Sequence, residues 1–318
     1  MALSLLGSKL QSRQHSDTEP NLDAAYAASK ALNARHGKTY YFSTLFFPPA
    51  IRRSVHALYG FVRYPDEIVD NPAPGTDPAA LLSEYRQATL DAMRTGGSDL
   101  PVLHAFADMA RRHDLPQDYP LAFLDAMAMD LTRTRYETFD ALKTYTYGSA
   151  SVVGLMMCHV VGISDPCALA PAHDLGLAMQ LTNFWRDIGE DWNTRGRIYL
   201  PLEDMERFGY TESMLSQGVV NDQFLDLMRF EIARARDFYA ASDLGIPYIT
   251  PECQLPVKLA RVLYSRILDK IEANNYDVFT RRARTSDLEK AAEFVRLSLQ
   301  KPLRPNSGSR ARSGGFGP

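Results

Sequence analysis

The chain has few cysteines and no apolar run long enough to cross a membrane. Its three cysteines, Cys158, Cys167 and Cys253, form no CxxC pair and match no zinc-ligand spacing, which argues against a disulfide framework or a structural zinc. The longest apolar run, residues 152–163, is interrupted by His159 and is too short to span a bilayer. An apolar stretch of about five residues near the N-terminus is too short for a secretory signal. We therefore expect a cytoplasmic protein in a reducing compartment.

The sequence also lacks a strong excess of charge of either sign. Its 318 residues carry a formal net charge of −3, and the basic residues are dispersed apart from RRAR at 281–284. Because nucleic-acid-binding proteins usually cluster their basic residues, we expect no nucleic-acid partner. Hydrophobic residues make up 45% of the chain, which is enough for a substantial core.

Strand-type alternation and internal repeats are missing as well, and the pattern predicts helix after helix. Proline in the first turn marks helix starts at Pro49, Pro78 and Pro166. Clusters of Gly, Pro and Asn mark breaks at residues 71–75, 95–97, 193–196 and 245–247. The predicted organisation is all-α and single-domain, with a disordered N-terminus at 1–20, a helical domain at 21–302 and a disordered tail at 303–318.

Two pairs of aspartates, each spaced four residues apart, are the clearest functional signal. Asp66 and Asp70 lie in RYPDEIVDN, and Asp187 and Asp191 lie in WRDIGEDWN. On a helix this spacing places both carboxylates of a pair on one face, with Cβ atoms about 6 Å apart. One such pair is common on a solvated helix face. Two pairs, each with an arginine beside it, indicate a site for several hard divalent cations such as Mg²⁺ that hold a diphosphate.

Each pair is preceded on its helix by side chains that donate hydrogen bonds. Tyr59 and Arg63 precede the first pair at helical spacing, and Gln180 and Asn183 precede the second, with Arg186 beside it. Guanidinium, amide and phenol groups are the donors that a metal-bound anion needs. The two halves of the predicted site therefore have the same composition: two carboxylates preceded by hydrogen-bond donors.

Two long segments around these pairs resemble the signature blocks of the squalene and phytoene synthase family. They are HGKTYYFSTLFFPPAIRRSVHALYGFVRYPDEIVD and LAMQLTNFWRDIGEDWNTRGRIYLP. The resemblance continues through DLTRTRYETFDALKTYTYGSASVVGLMM and LYSRILDKIEANNYDVFTRRARTS, so that it covers about residues 30–300. The family is all-helical and joins two allylic prenyl diphosphates head to head. The resemblance therefore implies a single isoprenoid-synthase-type helical bundle around a central cavity.

The resemblance also implies roles for particular residues. Catalysis is expected from Asp66, Asp70, Asp187, Asp191, Tyr59 and Arg63. Two or three Mg²⁺ ions, for which Mn²⁺ can substitute, are expected to be held by Asp66, Asp70, Asn183, Asp187 and Asp191. The expected substrate-binding residues are His36, Lys38, Thr39, Tyr59, Arg63, Tyr145, Gln180, Arg186, Arg197, Tyr264 and Arg281.

Further residues are expected to shape the cavity. Phe42 joins the three tyrosines 59, 145 and 264 as a candidate for lining a dry space in which aromatic rings stabilise carbocations. The small residues at 148–151 resemble a family segment that passes close to the prenyl chain. Glu67 and Glu190 are assigned to the surroundings of the metal site or to the surface. Gly37 stands where family members often carry serine, so this loop lacks one hydroxyl donor.

The two blocks look most like those of bacterial phytoene synthases. The expected reaction is the Mg²⁺-dependent condensation of two geranylgeranyl diphosphates, through a cyclopropylcarbinyl (prephytoene) diphosphate, to phytoene in the first committed step of carotenoid biosynthesis. A reaction on farnesyl diphosphate, giving squalene, dehydrosqualene or presqualene diphosphate, stays open because the residues of the cavity wall that set chain length are not identified. No G-x-G-x-x-G motif occurs, and no nicotinamide cofactor is expected.

Two other classes of protein were weighed against a prenyltransferase. A catalytically inactive family member acting as an assembly factor would be expected to lose carboxylates, yet all four aspartates are present. A di-iron carboxylate bundle needs Glu-x-x-His pairs, and none of the seven histidines has glutamate three residues before it. Transient association with a membrane surface and the oligomeric state both stay open.

Overall fold

Helices form the regular structure of the computed structural model, which describes residues 21–163 and 165–305. No strand occurs within these residues, so the predicted all-α class is confirmed. The segments predicted to be disordered lie outside the described residues, except for 303–305. There, the backbone N–H and C=O of Leu303 are hydrogen-bonded to the side chain of Gln254.

The first half of the chain forms eight helices and one π-helical turn, Tyr147–Ser151, between the last two of them. The helices are α1 (Leu22–His36), α2 (Lys38–Thr44), α3 (Pro49–Asp70), α4 (Pro78–Thr95), α5 (Pro101–Arg112), α6 (Asp118–Asp130), α7 (Phe139–Thr146) and α8 (Val152–Val160).

The second half begins with a 3-10 turn, Pro166–Ala168, that leads directly into the longest helix. Another 3-10 turn, Ile246–Tyr248, precedes the penultimate helix. The helices are α9 (Leu169–Arg195), α10 (Leu202–Arg207), α11 (Glu212–Ser216), α12 (Asp222–Asp243), α13 (Pro251–Ala273) and α14 (Asp287–Ser298).

Several helix ends follow directly from local chemistry. Pro49 is the first residue of α3, as predicted, and Pro78 is the first of α4, where the Asp77 carboxylate accepts hydrogen bonds from two backbone N–H groups of the first turn. Gly96 and Gly196 end α4 and α9 with φ values of 86° and 61°, a conformation that glycine adopts without steric cost. The predicted starts and breaks at these positions are confirmed.

The aspartate pairs lie near the C-terminal ends of α3 and α9. α3 packs against α1 and α5, and α9 packs against α12, α13 and the π-helical turn. The other face of α3 is anchored in the core, where Phe61 stacks on Phe106 with ring centroids 3.9 Å apart. Trp185 anchors α9 in the same way and is fully buried. Both carboxylate faces are therefore held on rigid elements.

Close helix contacts shape the region where α8, α9 and the π-helical turn meet. A Cβ atom at Gly154 would lie 2.4 Å from the backbone oxygen of Ala172, and one at Gly176 would lie 2.6 Å from the backbone oxygen of Ala150. Only glycine allows these backbones to approach so closely. Among the described residues, no helix combines the length and the apolar content that crossing a membrane requires.

Candidate active site

A large cavity of about 1200 Å³ opens between α2, α3 and the helices α6 to α9 and α13. Charged and polar side chains surround its mouth, whereas its depth is lined by apolar residues such as Leu58, Val153, Met157, Leu175 and Ile246. This volume exceeds the range typical of a drug-sized ligand, about 300–1,000 Å³. The cavity therefore combines an anionic-ligand site at its mouth with space for long apolar chains.

The structure brings nearly all predicted site residues to this cavity. Its lining includes His36, Lys38, Thr39, Tyr59, Arg63, Asp66, Asp70, Tyr145, Gln180, Asn183, Arg186, Asp187, Asp191, Arg197 and Tyr264. The small residues Ser149 and Ala150 of the π-helical turn also line it, next to the apolar depth.

The two aspartate pairs meet across the mouth of the cavity. Arg195 connects them, since its Nε lies 3.0 Å from Asp70 Oδ1 and its Nη1 lies 3.4 Å from Asp191 Oδ1. Arg197 Nη1 also donates a hydrogen bond to Asp70 Oδ1 over 2.8 Å. The charge of Asp70 on α3 is one cause of the raised pKa of Asp191 on α9. Residues more than a hundred positions apart in sequence thus share one electrostatic site.

Burial and neighbouring acids raise the pKa values of two of the carboxylates. Burial raises the pKa of Asp191 to about 7, and the neighbouring charge of Asp187 adds to the effect. Burial also raises the pKa of Asp66 to about 6, against the opposing influence of Arg63. Asp70 ends α3, where the helix dipole is unfavourable to an acid. A bound cation would relieve this repulsion.

The donor set fits hard divalent cations that share their ligands with a phosphate. The four carboxylates and the Asn183 amide supply oxygen ligands, which Mg²⁺ prefers. In residues 21–163 and 165–305, no group of three or more His, Cys, Asp and Glu side chains forms a metal cluster by itself. Since Mg²⁺ usually takes one or two carboxylates and completes its shell with water and phosphate oxygens, this arrangement suits a metal–diphosphate complex.

Cationic and polar groups beside the first pair can hold an anion. Arg63 forms ion pairs with Asp66 and Glu67, yet its Nε is buried without a hydrogen-bond partner. Nε2 of His36 is likewise buried and unpaired. Burial lowers the pKa of His36, and the nearby Arg63 lowers it further. A phosphate oxygen would satisfy these unpaired donors.

Gly37 allows the loop before α2 to close on Tyr59. A Cβ atom at Gly37 would lie 2.6 Å from Asn33 Oδ1 and 2.9 Å from Cε2 of the Tyr59 ring. Asn33 cannot move away easily, because it is buried and its Nδ2 is hydrogen-bonded to His56 Nδ1 over 3.0 Å. Glycine at this position therefore permits a contact that any Cβ atom would crowd.

Aromatic rings line two sides of the cavity. Tyr59 stacks on Tyr40 with centroids 5.7 Å apart, and burial raises the pKa of both hydroxyls. Phe184 stacks on Tyr199 with centroids 3.9 Å apart, beside Tyr145. These rings remain neutral and present π faces to the cavity.

Phe42, in contrast, does not line the cavity. It lies in a separate small cluster with Phe46 and Phe294, between α2, α13 and α14. The expectation that Phe42 lines the cavity is wrong, because the neighbouring Tyr40 and Ser43 occupy the inward face of α2.

Arg282 takes the position expected of Arg281. Arg281 is exposed and lies outside the cavity lining, whereas Arg282 Nη2 donates to Asp187 Oδ2 over 3.0 Å and Nη1 pairs with Glu190. The segment that follows α13 is not helical here, so side-chain direction depends on local turns. The Asp277 carboxylate stabilises one such turn by accepting a hydrogen bond from the backbone N–H of Thr280.

Asp130 is a site residue that sequence reasoning missed. It is buried in the cavity wall at the end of α6 and accepts hydrogen bonds from the hydroxyls of Tyr145 and Tyr199. Its backbone oxygen accepts a hydrogen bond from Arg197 over 3.0 Å, and burial raises its carboxyl pKa to about 6. An aspartate that ends a largely apolar helix was the available signal.

Two further side chains at the cavity were not singled out from the sequence. Arg195 joins the two aspartate pairs, and Lys290 of α14 lines the cavity. Glu67 is buried and pairs with Arg63, whereas Glu190 is exposed at the mouth and pairs with Arg282. These ion pairs belong to the electrostatic surroundings of the carboxylates.

Fold and site together define an isoprenoid-synthase type of prenyltransferase, in which helices enclose an apolar cavity below a cluster of carboxylates and arginines. The squalene/phytoene synthase family model matches residues 33–289. The chain belongs to the squalene/phytoene synthase family. This result agrees with the resemblance found in the two signature blocks.

Individual relatives place the chain within the family. It is 40% identical over 275 residues to a 15-cis-phytoene synthase from Synechocystis sp. (strain ATCC 27184 / PCC 6803 / Kazusa), covering 83% of this chain and 81% of that protein. It is 39% identical over 272 residues to a phytoene synthase from Arthrospira platensis, covering 81% and 87%. Among solved structures, a dehydrosqualene synthase in complex with a ligand is 27% identical and superposes with a TM-score of 0.81, covering 87% and 96%.

Proposed function

We propose that this prenyltransferase joins two geranylgeranyl diphosphates head to head and forms phytoene through a cyclopropylcarbinyl (prephytoene) diphosphate. This reaction would be the first committed step of carotenoid biosynthesis. The observation that carries the proposal is the meeting of both aspartate pairs at the mouth of one apolar cavity. Relatives called phytoene synthases, at 38–40% identity, support the choice of product.

The aspartate pairs and Asn183 would hold two or three Mg²⁺ ions, for which Mn²⁺ can substitute. When bound, Mg²⁺ supplies Lewis-acid stabilisation of the negative charge that develops on a departing diphosphate. Arg63, Lys38 and His36 would bind phosphate oxygens from the side of α2 and α3, and Arg186 and Arg282 from the side of α9. Binding from both sides would hold the leaving group away from the carbocation.

The apolar depth of the cavity would exclude water from the carbocation. Tyr59, Tyr145 and Tyr264 present their rings to this space, where a cation–π contact contributes about 2 kcal/mol when desolvated. Asp130 holds Tyr145 and Tyr199 in place by accepting a hydrogen bond from each hydroxyl group. Because no step of this route to phytoene consumes hydride, we propose no role for a nicotinamide cofactor.

A second candidate substrate is farnesyl diphosphate. The solved structure of a dehydrosqualene synthase supports this candidate. Our chain superposes on 96% of that structure, at 27% sequence identity. The fold alone does not separate the two substrates, since they differ only in chain length. We favour the longer substrate because the relatives at higher identity are phytoene synthases.

A direct comparison of the two substrates tests the proposal. Purified protein, supplied with Mg²⁺ and either labelled geranylgeranyl or labelled farnesyl diphosphate, should convert the former into a hydrocarbon that extracts into organic solvent and co-elutes with phytoene. Chelation of the metal should stop the reaction, and added Mg²⁺ should restore it. If only farnesyl diphosphate gives a hydrocarbon, the second candidate replaces the first. If neither gives an apolar product, the inactive assembly factor becomes the better account.

A further inference from the structure

Helix α14 has an apolar face on each side. Its inward face packs on α13, where Leu297 is buried and Phe294 stacks on Phe46. Its outward face carries Leu288, Val295 and Leu299, whose exposed fractions are 81%, 56% and 83%. Steps of seven and four residues place these three side chains on one stripe of the helix.

This outward stripe is unusual for a surface helix. A helix on the surface of a globular protein normally directs polar residues outward, and a contiguous exposed apolar patch marks a site of interaction. Leu303, beyond the end of the helix, is a further exposed apolar residue, at 47%. Its backbone is held by two hydrogen bonds to Gln254, so this residue has a defined position.

Positive charge accompanies the apolar stripe. Residues 294–305 contain no Asp or Glu and contain the basic residues Arg296, Lys301 and Arg304. The three acids earlier in α14 are each paired with a cation: Asp287 with Lys290, Glu289 with Lys270, and Glu293 with Arg266 and Arg296. The C-terminal part of this surface therefore presents apolar and basic groups together.

The stripe also begins beside the mouth of the cavity. Ser286, Asp287 and Lys290, at the start of α14, belong to the cavity lining. A surface that contacts Leu288 would therefore lie next to the opening through which prenyl chains pass. This point rests on the proposed function, because only that reaction makes the passage of an oily product relevant.

We propose that the outward face of α14, defined by Leu288, Val295, Leu299 and Leu303, docks on a membrane surface that carries anionic lipid headgroups. Apolar side chains inserted at the interface and basic residues facing anionic headgroups are the two contributions that hold a peripheral helix on a bilayer. A symmetric dimer through the same face is disfavoured, because it would bring two basic segments together. Docking here would open the cavity towards the bilayer.

Vesicle flotation with the full chain, without substrate, tests the proposal. Vesicles that contain phosphatidylglycerol should bind the protein, and pure phosphatidylcholine vesicles should bind it more weakly. The triple variant Leu288→Ser, Val295→Ser and Leu299→Ser should lower the partition coefficient by about tenfold or more. The double variant Val220→Ser and Leu244→Ser is the matched control, since it removes exposed apolar residues elsewhere and should bind like the wild type.

A second variant and a second measurement complete the test. Lys301→Gln with Arg304→Gln should weaken binding to anionic vesicles, and added salt should weaken the binding of the wild type. Turnover in detergent solution should be unchanged in the triple variant, because none of its residues lines the cavity.

Failure of the wild type to bind anionic vesicles would overturn the proposal, as would undiminished binding by the triple variant. A wild-type dimer that the triple variant dissociates would assign the face to a second copy instead. Since binding is measured without turnover, an inactive protein that binds vesicles would refute only the proposed function.

Discussion

Individual carboxylates at the cavity mouth are held in positions that cost free energy. Asp66 and Asp191 are surrounded by other acids, and burial raises their pKa values to about 6 and 7. Five arginines form ion pairs with the four aspartates of the mouth, yet the pKa values of Asp66 and Asp191 remain raised. Residues that remain destabilised in the folded protein commonly serve binding or catalysis, and here they are suited to divalent cations.

The first prediction concerns the aspartates themselves. Asp66→Asn and Asp187→Asn should each lower turnover by about a thousandfold, since metal stabilisation of the leaving group contributes several kcal/mol. Initial rates with saturating Mg²⁺ measure the effect. Asp125→Asn is a suitable control, because Asp125 is exposed, pairs with Arg86 and lies outside the cavity lining. A near-normal rate in either variant would show that the substituted aspartate does not bind the metal.

Asp130 provides a second prediction at this scale. Asp130→Asn keeps the size of the side chain but removes the charge near Arg197 and one acceptor for the hydroxyls of Tyr145 and Tyr199. We expect kcat to fall by about tenfold to a hundredfold and KM to change little, because the tyrosines line the cavity and phosphate contacts are unaffected. Steady-state kinetics measure both constants, and Asp125→Asn on the same helix again serves as the control. A change in KM alone would assign Asp130 to substrate binding.

Periodicity explains which site residues could be predicted from the sequence. The paired aspartates and their preceding donors follow helical spacing, and each lines the cavity. Asp130 has no partner at helical spacing, so only its place in an apolar helix could have identified it. Arg281 and Arg282 lie in an irregular segment, where sequence spacing does not determine which side chain faces the cavity.

Whole helices approach one another closely around the π-helical turn. Gly148 lies against the backbone oxygen of Ala122, and Gly176 lies against the backbone of Ala150 and Ser151. π-helical turns often occur at functional sites, and this one places Ser149 and Ala150 in the cavity wall. Small residues were predicted at this point, but the change in hydrogen bonding from α to π could not be predicted from the sequence.

Gly176→Ala tests this close approach. In an ordinary helix interior, Gly→Ala stabilises by up to about 1 kcal/mol. Here the added Cβ would lie 2.6 Å from the Ala150 oxygen and 2.9 Å from Ser151 Cα, which are backbone atoms that cannot rotate away. We expect a loss of about 1–3 kcal/mol in the free energy of unfolding. Thermal or denaturant unfolding gives the sign, and a gain in stability would contradict the contact.

The buried carboxyl group of Glu231 should make the free energy of unfolding depend on pH. This fully buried residue of α12 pairs with Arg234, which also donates to Asp204 of α10. Burial raises the pKa of Glu231 to about 8, although Arg234 acts in the opposite direction. Because the folded state then binds more protons than the unfolded state between about pH 4.5 and 8, this residue makes stability fall as pH rises through that range.

Glu231→Gln should therefore flatten the pH dependence. The fall in melting temperature between pH 6.5 and 9 should be smaller in the variant than in the wild type. The histidines whose pKa values are lowered, among them His36, His56 and His113, titrate below this window. Asp226→Asn on the same helix is the control, since Asp226 is exposed and pairs with Arg229. An equal fall in the wild type and in Glu231→Gln would contradict the raised pKa.

At the scale of the whole molecule, α3 and α9 bring two distant segments of the sequence to one mouth. Sequence spacing predicts each aspartate pair, and family resemblance implies that the pairs meet, but the arrangement depends on packing between all the surrounding helices. The cavity volume of about 1200 Å³ could not be predicted, because it is the space that remains after every helix has packed. The spacing of Leu288, Val295 and Leu299 predicts an apolar stripe on α14, but it does not predict that this stripe is exposed.

The most direct measurement is a crystal structure with Mg²⁺ and a non-ionisable thio analogue of geranylgeranyl diphosphate. We expect metal ions between the diphosphate and both aspartate pairs, with Asp66 and Asp187 as ligands, and the prenyl chain in the apolar depth beside Met157 and Ile246. A diphosphate bound outside this mouth, or ions held by one pair alone, would contradict this expectation.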